Sequence, residues 1–283
     1  MRSAELTRRL LATGVSSPLL SRLTGRLADL RLPSWLLVPL IAAYARRYGV
    51  ALDEAADPAD AYPTLNAFFT RRLREGARPV ADGPGLVVSP SDSRLSGIGP
   101  LPPDQTLEQI KGHRYTIGAL LGSAEDAAAF RTGVQATLYL GPGMYHRVHS
   151  PVDGEIRAWR YVPGRLFPVN PPAVRSIPGL FTRNERVALF LESPSFGPVA
   201  LVLVGAANVG RITLAFADLV TNTGAAPARV RPQSPIPVRP GQELATFNLG
   251  STVVLLVADP SLLPVGLGAG DLVRMGQALW RRR

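Results

Sequence analysis

The stretch "TFNLGSTVVLL", Thr246 to Leu256, decides the reading of the fold. The residues after its Gly-Ser pair form a short apolar, β-branched run, the pattern of a buried strand entered through a glycine turn. Similar runs precede it: "GLVVS", "QATLYL", "GEIRAWRYV", "RVALFL" and "PVALVLVG", separated by Gly, Pro, Asn and Asp. Few of the gaps between them could hold a crossover helix. The exception is Ser123 to Arg131, "SAEDAAAFR", with a Ser N-cap, early acids and alanines. A further helix is expected to start near Thr64 in "YPTLNAFFTRRL", with Leu65, Phe68, Phe69 and Leu73 as its apolar residues. The expected fold is therefore α+β, with a mainly antiparallel β-sheet core. The Pro- and Arg-rich segment Ala225 to Gln242 is expected to be a surface loop.

Residues 1 to 48 differ from the rest. Ser17-Pro18 reads as an N-cap followed by proline at the first helical position, and Leu20, Leu23, Leu27 and Leu30 recur at helical spacing with Arg22 and Arg26 between them. The segment holds eight arginines against Glu5 and Asp29, and also Trp35. Arginine on one face and leucine with tryptophan on the other is the composition of an amphipathic helical region lying on a membrane surface. Packing of the same leucines against the protein's own core or a second subunit is the alternative reading. The longest apolar stretch, Leu32 to Ala45, has fourteen residues and carries Pro33 and Pro39, short of the ~20 needed to span a bilayer.

Composition limits the chemistry. The 283 residues carry a net charge of +10, with Lys111 as the only lysine, so an anionic partner is expected. A nucleic acid is not, because the basic residues are not interleaved with aromatics in a known module. The absence of cysteine removes disulfides, thiolate nucleophiles and Cys-ligated metals. No secretory signal pattern stands at the N-terminus, which argues for the cytoplasmic side.

Two of the three histidines, His146 and His149, lie together in "YHRVHSPVDG". They would occupy opposite faces of an extended segment or one face of a helical turn. A metal would need Asp153 or Asp92 to complete its ligands, and each imidazole could instead be a buried ring bonded to backbone. Asp92, in "VVSPSDSRLSGIG", is either a turn residue or a catalytic acid. Gly250-Ser251 joins a side-chain-free, conformationally permissive unit to a hydroxyl, which becomes nucleophilic only when a base accepts its proton.

Taken together, the blocks "FFTRRLREGARPV", the Asp92 turn, "KGHRY", "YHRVHSPVDG", "YVPGRLFPVN", "LFTRNERV", "VGAANVGRI" and "LGST" resemble the phosphatidylserine decarboxylase family in its prokaryotic membrane-associated form. The resemblance implies a self-cleaving proenzyme. His149, oriented by Asp92, takes the proton of Ser251, whose oxygen attacks the Gly250 carbonyl. Chain breakage leaves a β chain (1–250) and an α chain (251–283) capped by a pyruvoyl group made from Ser251. That group forms a Schiff base with phosphatidylserine, which is decarboxylated to phosphatidylethanolamine, with His146 as proton donor. The family implies no metal and no pyridoxal phosphate. It also implies a heterodimer of α and β chains, with a dimer of heterodimers as one possible assembly.

The implied organisation is a membrane-surface region, 1–48, and a catalytic domain, 49–283, peripheral to the cell membrane on its cytoplasmic side. Two departures from the family pattern stand out: Met144 replaces an acid before the Tyr-His pair, and Ser93 replaces a glycine, which would be strained at positive φ. His113 matches a family histidine without an assigned role. The competing readings are a membrane-surface serine hydrolase using Ser251, His149 and Asp92 without chain breakage, and a noncatalytic scaffold.

Overall fold

The computed structural model describes residues 24–110, 113–207, 211–248 and 251–283. The Ser17-Pro18 cap, Leu20, Arg22 and Leu23 of the first basic helix, Lys111 and Gly250 lie outside them.

The strand Ser251–Val257 is buried over its whole length. It pairs antiparallel with Val134–Leu140 on one side and Gly197–Gly205 on the other, from Ser251 opposite Leu140 and Gly205 to Val257 opposite Val134 and Val199. Burial on both faces explains why this strand is apolar without alternation. Val253, Leu255 and Val257 enter one core cluster, and Val254 and Leu256 enter the other.

Among the described residues the sheet has nine strands. Its path runs Ala228–Val230, Gly154–Val162, Arg186–Ser193, Gly197–Gly205, Ser251–Val257, Val134–Leu140, Ser93–Pro100 and Leu272–Val273, with Ile236–Val238 also paired to Gly154–Val162. Neighbours are antiparallel throughout, and the fold is α+β as expected.

Short helices cover one face, among them Ile117–Leu121, Pro171–Ser176 and Leu180–Arg183. A smaller antiparallel sheet of Arg211–Leu214, Glu243–Asn248 and Arg147–His149 contributes Ile212, Leu244, Phe247 and Val148 to the cluster on the other face. Ser251 shares the parity of Val253 and so faces that second layer.

Local expectations fare unevenly. Thr64 caps its helix by accepting from the Ala67 N–H, but the helix ends at Phe69 and Leu73 lies beyond it. Ser123 caps Ala124–Ala127 in the same way. The expected loop Ala225 to Gln242 is largely exposed, yet it carries two short edge strands.

The helix Ser34–Tyr48 buries Leu37, Ile41 and Ala45 against Val50, Tyr62 and Phe68. Gly49, at φ 67°, closes it in the left-handed conformation and donates to the Ala45 carbonyl. Trp35, Leu36 and Leu40 remain exposed on the same helix. No described helix is long and apolar enough to cross a membrane.

Candidate active site

Ser251 pairs with Leu140, and the Phe247 N–H donates to the His146 carbonyl at 2.9 Å. His146 and Ser251 are thus each tied to a residue within a few positions of the other in sequence. The Ser251 side chain is fully buried and its Oγ has no hydrogen-bond partner. A buried hydroxyl without a partner costs about 1–3 kcal/mol, and this one stands on the residue expected to act as nucleophile.

Both histidines are extended rather than helical: His149 ends the strand Arg147–His149 and His146 immediately precedes it. His146 Nδ1 lies 2.8 Å from the Met144 carbonyl, and His149 Nδ1 lies 2.9 Å from the Gly241 carbonyl. A carbonyl can only accept, so each Nδ1 carries the proton and each Nε2 presents a lone pair. Both Nε2 atoms are buried and unpartnered.

Burial pushes the His146 pKa down to about 3, against the opposing Met144 bond and with help from the Arg71 charge. Its ring packs 4.0 Å from that of Phe69. Burial also holds His149 below the ordinary histidine range, partly offset by its Gly241 bond and the Glu243 carboxylate. The site thus contains two neutral imidazoles with bare basic nitrogens and one bare hydroxyl.

Asp92 is placed beside this group but is not bonded to the His149 ring. The His149 N–H donates to the Pro90 carbonyl at 2.8 Å, which ties the two segments together. The Asp92 carboxylate accepts from Arg78 Nε at 2.8 Å, from Arg78 Nη2 at 2.6 Å and from the Met275 N–H at 2.8 Å. Arg78 also holds Glu54 at 2.7 Å. Thus the Gly241 carbonyl fixes the His149 tautomer, and Asp92 acts on the ring through its field.

Neither departure from the family pattern disturbs the geometry. His146 uses the Met144 backbone carbonyl, which any residue supplies. Ser93 opens the strand Ser93–Pro100, is not among the positive-φ residues, and its Oγ hydrogen-bonds Ser91 Oγ at 2.7 Å. His113 lies on the separate hairpin of Thr106–Ile110 and His113–Thr116. Among the described residues no group of three or more His, Asp or Glu side chains is arranged to hold a metal.

Sequence reasoning missed Gly241, Arg71 and Arg78. The two arginines stand in the quoted block "FFTRRLREGARPV", but nothing in their spacing separates them from its other arginines.

A cavity of about 420 Å³ opens beside Asp92, Met144 and Tyr145, and Arg71 and Arg78 also line it.

A family model described as phosphatidylserine decarboxylase matches residues 65–281. A protein of Anaeromyxobacter sp. (strain K) is 45% identical over 269 residues, covering 92% of this chain and 93% of its own length. One from Pseudomonas aeruginosa (strain LESB58) is 45% identical over 268 residues, covering 92% of each. A third, from Yersinia enterocolitica, is 44% identical over 269 residues, covering 92% and 91%. All three carry the name phosphatidylserine decarboxylase proenzyme.

Proposed function

The chain belongs to the phosphatidylserine decarboxylase family, and from that premise we propose that it is a proenzyme that breaks its own backbone between Gly250 and Ser251 and then converts phosphatidylserine to phosphatidylethanolamine. The observation that carries this reading is the buried, unpartnered Ser251 hydroxyl, together with the buried and unpartnered Nε2 atoms of His146 and His149. An ordinary strand serine has no use for such surroundings. The serine hydrolase alternative is not supported by the family.

In the cleavage step, His149 Nε2 takes the Ser251 proton while the oxygen attacks the Gly250 carbonyl, and the amide becomes an ester as the Ser251 nitrogen is released. Elimination then separates the chains: Gly250 keeps the carboxylate, and the Ser251 nitrogen departs as ammonia after hydrolysis. Support for His149 as base comes from its fixed tautomer, with Nδ1–H on Gly241. Asp92 contributes negative charge that favours the protonated ring.

The pyruvoyl group left at residue 251 supplies a ketone that condenses with the substrate amine and withdraws the electron pair left by carbon dioxide. His146 is the proposed proton carrier. With Nδ1–H on the Met144 carbonyl, its Nε2 is free to carry the proton delivered to the carbon that has lost carbon dioxide, and burial makes the protonated ring a ready donor.

The α and β chains should remain together as a heterodimer. The strand Ser251–Val257 is bonded on both edges by β-chain strands, Trp280 is fully buried, and Asp92 accepts from the Met275 N–H. Residues 1–48 are assigned to the membrane surface and 49–283 to catalysis, with the cytoplasmic leaflet as the docking side. Supporting this is Trp35, 76% exposed, beside exposed Leu36 and Leu40.

The Ser251→Ala chain tests the proposal. It should remain full length on a denaturing gel and release no carbon dioxide from phosphatidylserine; decarboxylation by that variant would overturn the reading.

A further inference from the structure

Arg71 is only 4% exposed, yet its Nε and Nη1 atoms have no hydrogen-bond partner. Its one recorded hydrogen bond runs from Nη2 to the Gly143 carbonyl at 3.2 Å, and its guanidinium lies 5.3 Å from the Phe68 ring centroid. The other buried arginines are provided for. Arg186 spends its donors on the carbonyls of Ala119, Leu120, Thr182 and Asn184. Arg78 is paired with Asp92 and Glu54. A buried cation with idle donors is costly unless an anion completes it.

Arg71 lines the cavity of about 420 Å³ together with Gly143, Met144 and Tyr145, the last being the residue before His146 in sequence. Arg78, Arg94 and Arg274 line the same space against Glu54 and Asp92, and with Arg71 the positive charge is in excess, which favours an anionic guest. Its rim includes Tyr48 and Gly49, at the end of the helix whose outer face is apolar.

We propose that the Arg71 guanidinium recognises the phosphodiester of the substrate headgroup. This deepens the decarboxylase reading and rests on it. The headgroup carries two anions, and reaction chemistry chooses between them. The carboxylate loses its charge as carbon dioxide leaves, so a cation holding it would stabilise the ground state more than the transition state and slow the reaction. The phosphodiester keeps its charge throughout and sits only a Cβ–O link from the reacting carbon. A planar guanidinium whose Nε and Nη1 are both free can give charge-assisted hydrogen bonds to its oxygens.

The test compares phosphatidylserine with an O-acyl serine, which keeps the amine and carboxylate but lacks phosphate, in detergent micelles. Rates are expressed per cleaved chain for the unaltered protein, Arg71→Gln and Arg71→Lys. Arg71→Gln should raise KM for phosphatidylserine by about tenfold or more, the loss expected for charge-assisted hydrogen bonds, and leave KM for the O-acyl serine unchanged. Arg71→Lys should recover part of the loss. An equal penalty on both substrates would mean that Arg71 holds the carboxylate, and no penalty on either would mean that it holds neither; each overturns the assignment.

Should the variants fail to fold or cleave, dimethyl phosphate and acetate are compared as inhibitors of the unaltered enzyme. Competition by dimethyl phosphate alone supports the assignment, and any other pattern overturns it. An unaltered protein that neither cleaves nor decarboxylates would instead defeat the underlying functional reading.

Discussion

Replacing His146 by asparagine, in a Ser251→Ala chain that stays continuous, should remove a specific acid sensitivity. In the folded chain burial lowers the His146 pKa from 6.5 to about 3. Below pH 6.5 the unfolded chain binds a proton that the folded ring refuses. Stability is therefore complete above the unfolded value and is lost as pH falls toward the folded one. Each unit of pH in that window costs about 1.4 kcal/mol, so at pH 4.5 His146 alone should remove roughly 3 kcal/mol.

His149 contributes with the same sign, but it is present in both chains and cancels in the difference. Urea denaturation of each chain at pH 7.5 and pH 4.5 measures the quantity. The histidine chain should lose about 3 kcal/mol more than the asparagine chain. A difference below about 1 kcal/mol would show that the folded ring takes up its proton readily, and would refute the burial argument.

Three further outcomes follow from the geometry. A Cβ at Gly143 would stand 2.2 Å from the Tyr48 carbonyl oxygen, so Gly143→Ala should lower stability by about 1–3 kcal/mol and slow decarboxylation per cleaved chain by shifting the Met144 carbonyl that holds His146. Thermal unfolding and carbon dioxide release per cleaved chain check this, and unchanged values in both would contradict it. Because burial holds His149 below its ordinary 6.5, self-cleavage should retain more than half its plateau rate at that pH; an acid limb with its midpoint at or above 6.5 would count against His149 as base. Changing Trp35, Leu36 and Leu40 to serine removes exposed apolar surface and should weaken sedimentation with anionic vesicles by at least about tenfold while leaving thermal stability intact. Equal vesicle binding would remove this helix from the membrane contact.

The parts of the structure set by local pattern were legible in the sequence. "QATLYL", "RVALFL", "PVALVLVG" and "TVVLLV" all form strands of the main sheet, because runs this short, apolar and β-branched are stable only where a sheet buries both faces. Thr64 and Ser123 cap helices for reasons confined to a few residues. Helix length was less legible: Leu73 continues the apolar pattern, but it lies in an isolated bridge to Ala55 instead of a further turn.

The candidate site was legible as residues and not as connections. Asp92, His149 and Ser251 could be named from their blocks. That the His149 ring leans on Gly241, ninety-two positions away, depends on a backbone carbonyl that has no residue signature. The Arg78 clamp on Asp92 and the idle donors of Arg71 are tertiary facts, since identical arginines in one segment acquire different roles only when neighbours close around them.

The central claim is that Ser251 turns its hydroxyl against the preceding peptide bond and becomes the reactive group. Intact mass spectrometry of the purified, active protein tests this most directly. The account predicts two chains divided after residue 250, with the 251–283 chain lacking its terminal amine and carrying a pyruvoyl mass. Active protein consisting of a single chain, or of an α chain that begins with unaltered serine, would contradict it.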